Sequence, residues 1–347
     1  MEEKQKFFDK KNIFIIFFIL FIGLLFSVAI SIFIPGNFLL NKKERIYVVY
    51  GSGLKKISRD LYENKLIRNR KIFELYVILT GNHKKLKAGE YEFDSRASIF
   101  SITNKMIKGD VISHKIVIPE GSDVYDVADI LEQNKIVSRE CFINLATDKT
   151  FLNSIGIKYK NAEGFLFPDT YNFIKGINEG TIIKIMHERF VEKSGITPEK
   201  TYNVSGLNLT GYKVLIMASI IEKESKLDSE RAKIASVFYN RLKSSEPYMR
   251  RLESCATVRY ALHKKTGVLT YQDLKVESDY NTYVIIGLPP TPICNPGVKS
   301  IQAALYPENT NYRYFVLREN GEHTFSETME EHNAAKYKNK IIRRTKK

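Results

Sequence analysis

The chain has 347 residues, with 54 Lys and Arg against 39 Asp and Glu, a formal charge of +15, 3 Cys and no Trp. Three widely spaced cysteines, Cys141, Cys255 and Cys294, exclude a disulfide-stapled fold and a cysteine-based zinc site, while pairing of any two stays open. The positive balance suits an anionic partner such as lipid headgroups or a wall polymer; no nucleic-acid motif accompanies it, so nucleic acid is not expected as a partner.

Ile13 to Ile34 is a run of 22 almost wholly apolar residues, long enough to cross a bilayer as a helix. Lys4, Lys6, Lys10 and Lys11 precede it, which predicts a cytoplasmic N-terminus over residues 1–12 and an extracytoplasmic remainder. Ala29-Ile30-Ser31 matches a signal-peptide cleavage site, but the apolar run continues past it, so an uncleaved membrane anchor at 13–34 is expected.

Residues 45–112 read as a small subdomain of strand, helix, helix, strand and a further helix. Ile46–Tyr50 is a strand by its β-branched and aromatic content, and Gly51-Ser52-Gly53 is a turn. Leu54, Ile57, Leu61 and Leu66 sit near helical spacing, and 72–79 is a second helix. The next strand is Gly89–Phe93, and Ser98 is the N-cap of the helix to Lys108. A weak repeat appears at an offset of seventy: Gly51-Ser52 recurs as Gly121-Ser122, Leu61 as Leu131, and Asn64-Lys65-Leu66-Ile67 as Asn134-Lys135-Ile136-Val137. Any strand-turn-helix unit shares part of this pattern. Small units of this kind resemble LysM modules, which bind N-acetylglucosamine polymers.

The remainder, 113–347, alternates helices with Gly- and Pro-rich loops and predicts a mixed α+β domain. Its helices fall at 181–192, 212–225 and 229–243, the last with Ala232, Ala235, Val237, Phe238 and Leu242 as its buried set; Tyr314–Leu317 is a strand.

The chemistry is expected at the helix 212–225, where an apolar run ends in Glu222-Lys223-Glu224-Ser225. A carboxyl at the edge of a greasy helix can hold its proton and become a donor. At 100° per residue, Glu224 falls between Met217 and Ile220, Glu222 between Leu215 and Ala218, and Ser219 and Lys223 lie on the polar side. The two acids point apart, which argues against a proton-sharing pair. One can be catalytic while the other pairs with Lys226 or Arg231, and periodicity does not choose between them. Tyr280-Asn281-Thr282-Tyr283, Gly287-Leu288-Pro289-Pro290 and Asn295-Pro296-Gly297 are stiff loops rich in amide and hydroxyl groups, suited to a sugar cleft. His323 and His332 lack metal-ligand spacing. Asp169 and Asp279 are candidate second carboxylates or turn residues.

Seven strings stand in a fixed order: Ala218–Glu224, Ala235–Leu242, Tyr280–Tyr283, Gly287–Pro290, Asn295–Gly297, His323–Ser326 and Glu331–Asn333. Together with the anchor and the LysM-like segment they resemble the MltG (YceG-like) endolytic murein transglycosylases of bacteria. The resemblance implies a lyase that cleaves nascent peptidoglycan strands between N-acetylmuramic acid and N-acetylglucosamine, terminating elongation and leaving 1,6-anhydromuramyl ends. It assigns Glu224 as the catalytic acid, followed by Ser225 as in the Glu-Ser pair of other lytic transglycosylases; Ser225, Tyr280, Asn281, Tyr283, Asn295 and His323 are expected around the substrate, with no cofactor and no metal. Its partners would be glycan strands, the inner-membrane bilayer and the wall synthases. The alternative is a non-catalytic glycan-binding scaffold that recruits those synthases. The chain departs from the family at Cys255, where Asp is usual, and at Thr291, where Gly is usual, which puts local cleft shape in question.

Overall fold

A computed structural model describes residues 10–35 and 42–345. The fold is mixed α+β and divides into two compact units, one of residues 1–114 with 172–177 and one of 115–171 with 178–347.

In the first unit, α1 (Lys10–Phe33) is the apolar helix read from the sequence, and its stretch Ile13–Phe33 is long and apolar enough to cross a membrane. Its outward side chains, Phe14 and Phe17 among them, are exposed. Then follow β1 (Lys43–Val48), α2 (Leu54–Glu63), α3 (Arg70–Leu79), β2 (Gly89–Asp94) and α4 (Ile99–Lys108), the strand-helix-helix-strand order that the pattern predicts. β1 and β2 are antiparallel, with Ile46 opposite Tyr91. Ile57, Leu61, Leu66, Phe73, Val77 and Ile102 close a single core against this ribbon, each stabilising the fold by about 1.5–3 kcal/mol through the apolar area it removes from water. Ser98 caps α4 as expected, accepting from the Ser101 N–H at 3.2 Å, and Gly109 ends it in the left-handed region at φ 73°.

β3 (Ser113–Val117) and β4 (Thr170–Ile174) carry the chain between the units. Between them lie α5 (Val124–Gln133), α6 (Arg139–Ala146) and α7 (Lys149–Ser154). The repeat seen in the sequence extends to backbone detail. Lys65 and Lys135 take φ of 57° and 56°, unusual for non-glycine residues. Asn64 and Asn134 each donate their side-chain amide back to a carbonyl four residues earlier at 2.8 Å. Leu61 and Leu131 are both fully buried.

The second unit continues through α8 (Glu179–Lys193), the hairpin β5 (Thr201–Val204) and β6 (Leu207–Thr210), and α9 (Gly211–Glu224). After a short 3₁₀ turn come α10 (Arg231–Leu242), α11 (Cys255–Ala261), α12 (Val298–Leu305), the antiparallel pair β7 (Tyr314–Leu317) and β8 (His323–Ser326), and α13 (Met329–Thr345). α9 is the central helix, packed by α10, α11 and α12. Val214 through Ile221 are buried on every side. The expected polar side does not exist at Ser219: its hydroxyl is buried, donating to the Ile216 carbonyl at 2.7 Å and accepting from the Ile293 N–H at 3.0 Å. α10 buries Ala235, Val237 and Phe238 as predicted, while Ala232 and Leu242 are half-buried and Tyr239 and Arg241 lie inside instead.

Candidate active site

Thr210 caps the start of α9, accepting from the Lys213 N–H, and Ser225 at its end leaves the helical region with ψ 128°. The last turn therefore projects three consecutive side chains from a buried stem in three directions. Glu222 accepts from Arg231 Nη1 at 3.1 Å and from the Gly297 N–H at 2.9 Å, with both partners of the ion pair nearly buried. Lys223 Nζ donates to the Gly121 carbonyl at 2.8 Å. Glu224 faces a cavity of about 600 Å³. The separation that the helical wheel suggested is thus present: one acid sits inside an ion pair with Arg231, and the other meets open space.

Glu224 has one oxygen held. Ser254 Oγ donates to Oε1 at 2.5 Å, and the Ala256 N–H approaches the same oxygen at 3.4 Å. Ser254 is itself fixed. Its N–H donates to Thr282 Oγ1 at 3.0 Å, its carbonyl accepts from Thr257 Oγ1 at 2.8 Å, and the two threonine hydroxyls lie 2.8 Å apart. The residue before it, Glu253, adopts φ 54°, a left-handed conformation that bulky side chains avoid. Its N–H donates to the Thr282 carbonyl and its carboxylate pairs with Arg241 at 2.7 Å. Arg241 also donates to the Arg251 carbonyl at 2.8 Å and stacks over Tyr314, so one buried guanidinium gathers several walls of the cavity. Glu224 and Glu253 are the carboxylates among the residues that line it, and Arg241 neutralises Glu253.

Tyr283 and His323 line the same cavity as Glu224. The Tyr283 hydroxyl is 3.2 Å from Cys255 Sγ; burial, the thiol and the Glu224 charge all push its pKa up. His323 is held by Glu230, which accepts from its N–H at 2.8 Å and bonds its Nδ1 at 2.7 Å. Ser225 Oγ turns away to the Leu227 carbonyl at 2.8 Å. The other three expected residues serve the loops. Asn281 is fully buried and its amide donates to the Leu274 and Val276 carbonyls at 3.0 and 2.8 Å. Asn295, also fully buried, accepts from the Leu166 N–H and donates to the Ser122 carbonyl. Tyr280 bonds Thr291 at 2.8 Å, so Thr291 is buried and partnered. Asp169 pairs with Arg189 at 3.1 Å, and Asp279 is exposed and not among the residues lining the cavity.

A further acid, outside the candidates read from the sequence, is Glu163. Glu163 is completely buried, and burial followed by the nearby Asp123 charge pushes its pKa up to about 8. It accepts from the Val124 N–H and the Tyr260 hydroxyl, both at 3.2 Å. Gly164 beside it takes φ 86° and abuts Pro292, where a Cβ would lie 2.6 Å from the ring. The three cysteines are free, with Cys141 and Cys255 exposed and Cys294 buried. No group of three or more His, Cys, Asp or Glu side chains among the described residues could hold a metal ion.

The profile of the YceG-like family matches residues 46–338. The chain belongs to the YceG-like family. A Bacillus subtilis relative named endolytic murein transglycosylase is 32% identical over 329 residues, covering 88% of this chain and 89% of the relative. A Streptococcus pneumoniae protein of the same name is 26% identical over 342 residues, covering 87% of this chain and 60% of that longer protein. The crystal structure of a YceG-like protein from Listeria monocytogenes is 34% identical, covers 85% of this chain and all of its own, and superposes with a TM-score of 0.55.

Proposed function

We propose that this YceG-like protein is an endolytic murein lytic transglycosylase, a lyase that cuts glycan strands between N-acetylmuramic acid and N-acetylglucosamine, with Glu224 as its acid and base. The observation that carries the reading is a carboxylate, Glu224, that has no cationic partner among the described residues, faces a cavity and is held on one oxygen by Ser254. A usual glycosidase needs two carboxylates, one of them for water or for a covalent intermediate; here Glu253, the other acid of the cavity, is tied to Arg241.

Protonated Glu224 gives its proton to the glycosidic oxygen, and the C1–O bond breaks. The resulting carboxylate takes the proton of the muramyl C6 hydroxyl, whose oxygen closes on C1 of its own ring. The product is a 1,6-anhydromuramyl end, with no water consumed and no cofactor required. Ser254 can donate to the carboxylate as its charge forms, and intramolecular attack supplies much of the rate. Tyr283 and His323 bound the sugar, while Asn281 and Asn295 keep their loops in place.

The apolar α1 anchors the chain in the cytoplasmic membrane with residues 1–12 inside and the rest outside, where new strands and their synthases are found. The strand-helix-helix-strand unit at 45–112 is a LysM-like glycan-binding element, and 113–347 is the catalytic domain. The test is digestion of isolated strands: wild type and Glu222→Gln cut, and Glu224→Gln does not. Cutting by Glu224→Gln would overturn the assignment, and strand binding without cutting by wild type would leave a scaffold that recruits synthases.

A further inference from the structure

The cavity that Glu224 faces is rich in cations, and they are not equivalent. Lys223, Arg241 and Arg259 are engaged: Lys223 and Arg259 donate to the carbonyls of Gly121 and Gly267, and Arg241 pairs with Glu253. Lys226, Arg313 and Lys336 also line it, are exposed, and have no acidic partner among the described residues. His332 also lines the cavity, is buried to 8% exposure and stacks on Tyr314, with ring centroids 5.2 Å apart. Its Nδ1 is buried and has no hydrogen-bond partner among the described residues. Burial and the charges of Lys336 and Arg241 hold its pKa below the ordinary value.

We propose that Arg313 and Lys336, where they line the cavity, form a subsite for the anionic peptide that murein carries on the lactyl group of its muramyl sugar. The proposal rests on the reading of Glu224 as the strand-cleaving acid. That reading puts a muramyl C1 at Glu224, and the lactyl ether is on O3 of the same ring. The peptide therefore starts within one sugar of the scissile bond and must share the cavity or leave through its mouth. Its free carboxylates meet Arg313 and Lys336, a guanidinium and an ammonium without competing acids. A phosphate of a lipid-linked strand end is the other anion in the system, but an internal cut keeps that end away from the reacting ring. The subsite gives the enzyme a means of preferring peptide-bearing strands over those already stripped of peptide.

The experiment uses the full chain in detergent and two strand preparations, one intact and one stripped with an amidase. Wild type is expected to show a KM for intact strands about tenfold below that for stripped strands, a preference that shrinks as salt rises. Arg313→Ala combined with Lys336→Ala should collapse the ratio toward one, and Arg313→Lys combined with Lys336→Arg should restore most of it. A wild-type ratio near one, or an alanine variant that keeps the ratio, overturns the proposal. Binding of both preparations to Glu224→Gln protein separates the two claims. A peptide-dependent affinity there sustains the subsite even if no cutting is found, and equal affinity there removes it even if cutting is.

Discussion

Replacing Glu163 by Gln tests a buried acid that the sequence did not reveal. The Glu163 carboxyl, whose ordinary pKa is 4.5, is pushed up to about 8 in the fold by burial and then by the nearby Asp123 charge. The folded protein thus holds a proton that the unfolded chain has lost. The sign follows: Glu163 contributes its full stability below about pH 4.5 and loses it as the pH rises through about 8. At about 1.4 kcal/mol per pH unit, two titrations at those positions imply that stability falls by roughly 3–4 kcal/mol between pH 5 and pH 8. Gln keeps an oxygen for the Val124 N–H and the Tyr260 hydroxyl and carries no proton to lose. Urea denaturation followed by far-UV circular dichroism suits a chain without Trp. The wild-type advantage over Glu163→Gln should shrink steadily across that range, and the variant should be the more stable at the alkaline end. A difference that stays flat with pH, or that grows as the pH rises, would refute the buried neutral carboxyl.

Glu222→Ala strips Arg231 of its buried partner while leaving Asp228 beside it; the expected cost is about 3 kcal/mol, seen as a melting temperature roughly 5–10 °C lower. Ser254→Ala removes the donor to Glu224 Oε1. It should lower kcat roughly tenfold to hundredfold with little change in KM, as a charge-assisted hydrogen bond of about 1.5–3 kcal/mol requires; an unchanged kcat would show that Ser254 does not hold the acid. A maleimide should label exposed Cys141 and Cys255 and spare Cys294, whose thiol burial pushes well above its usual pKa. Because Cys255 lines the Glu224 cavity and Cys141 is not among its lining residues, labelling should stop strand cleavage in wild type and leave Cys255→Asp active.

Hydrophobic periodicity made the helices and the β1–α2–α3–β2 order legible, since each buries one stripe against a local ribbon. It misled at α9, where Ser219 fits the core because two backbone groups, from Ile216 and Ile293, satisfy its hydroxyl. The two acids at the end of α9 could be separated by angle alone, but the partner of each lies elsewhere in the chain: Arg231 and Gly297 for Glu222, Ser254 for Glu224. Loop composition marked Tyr280 to Tyr283 as polar without showing which groups face inward. Asn281 satisfies loop carbonyls, Thr282 braces Ser254, and Tyr283 reaches the cavity. Glu163 sat in Glu163-Gly164-Phe165-Leu166-Phe167, where one acid beside an apolar run reads as a loop residue. Only the convergence of Val124, Tyr260 and Asn295 on it, from distant parts of the chain, reveals it as core.

The central claim is that one carboxylate, Glu224, both breaks the glycosidic bond and closes the new ring. Mass spectrometry of the strand ends made by purified wild-type protein tests it most directly. The expected products are 1,6-anhydromuramyl ends, lighter than reducing ends by one water, and they should disappear in Glu224→Gln. Reducing ends from the wild-type protein would contradict it, because they require a water and a second acid or base to activate it.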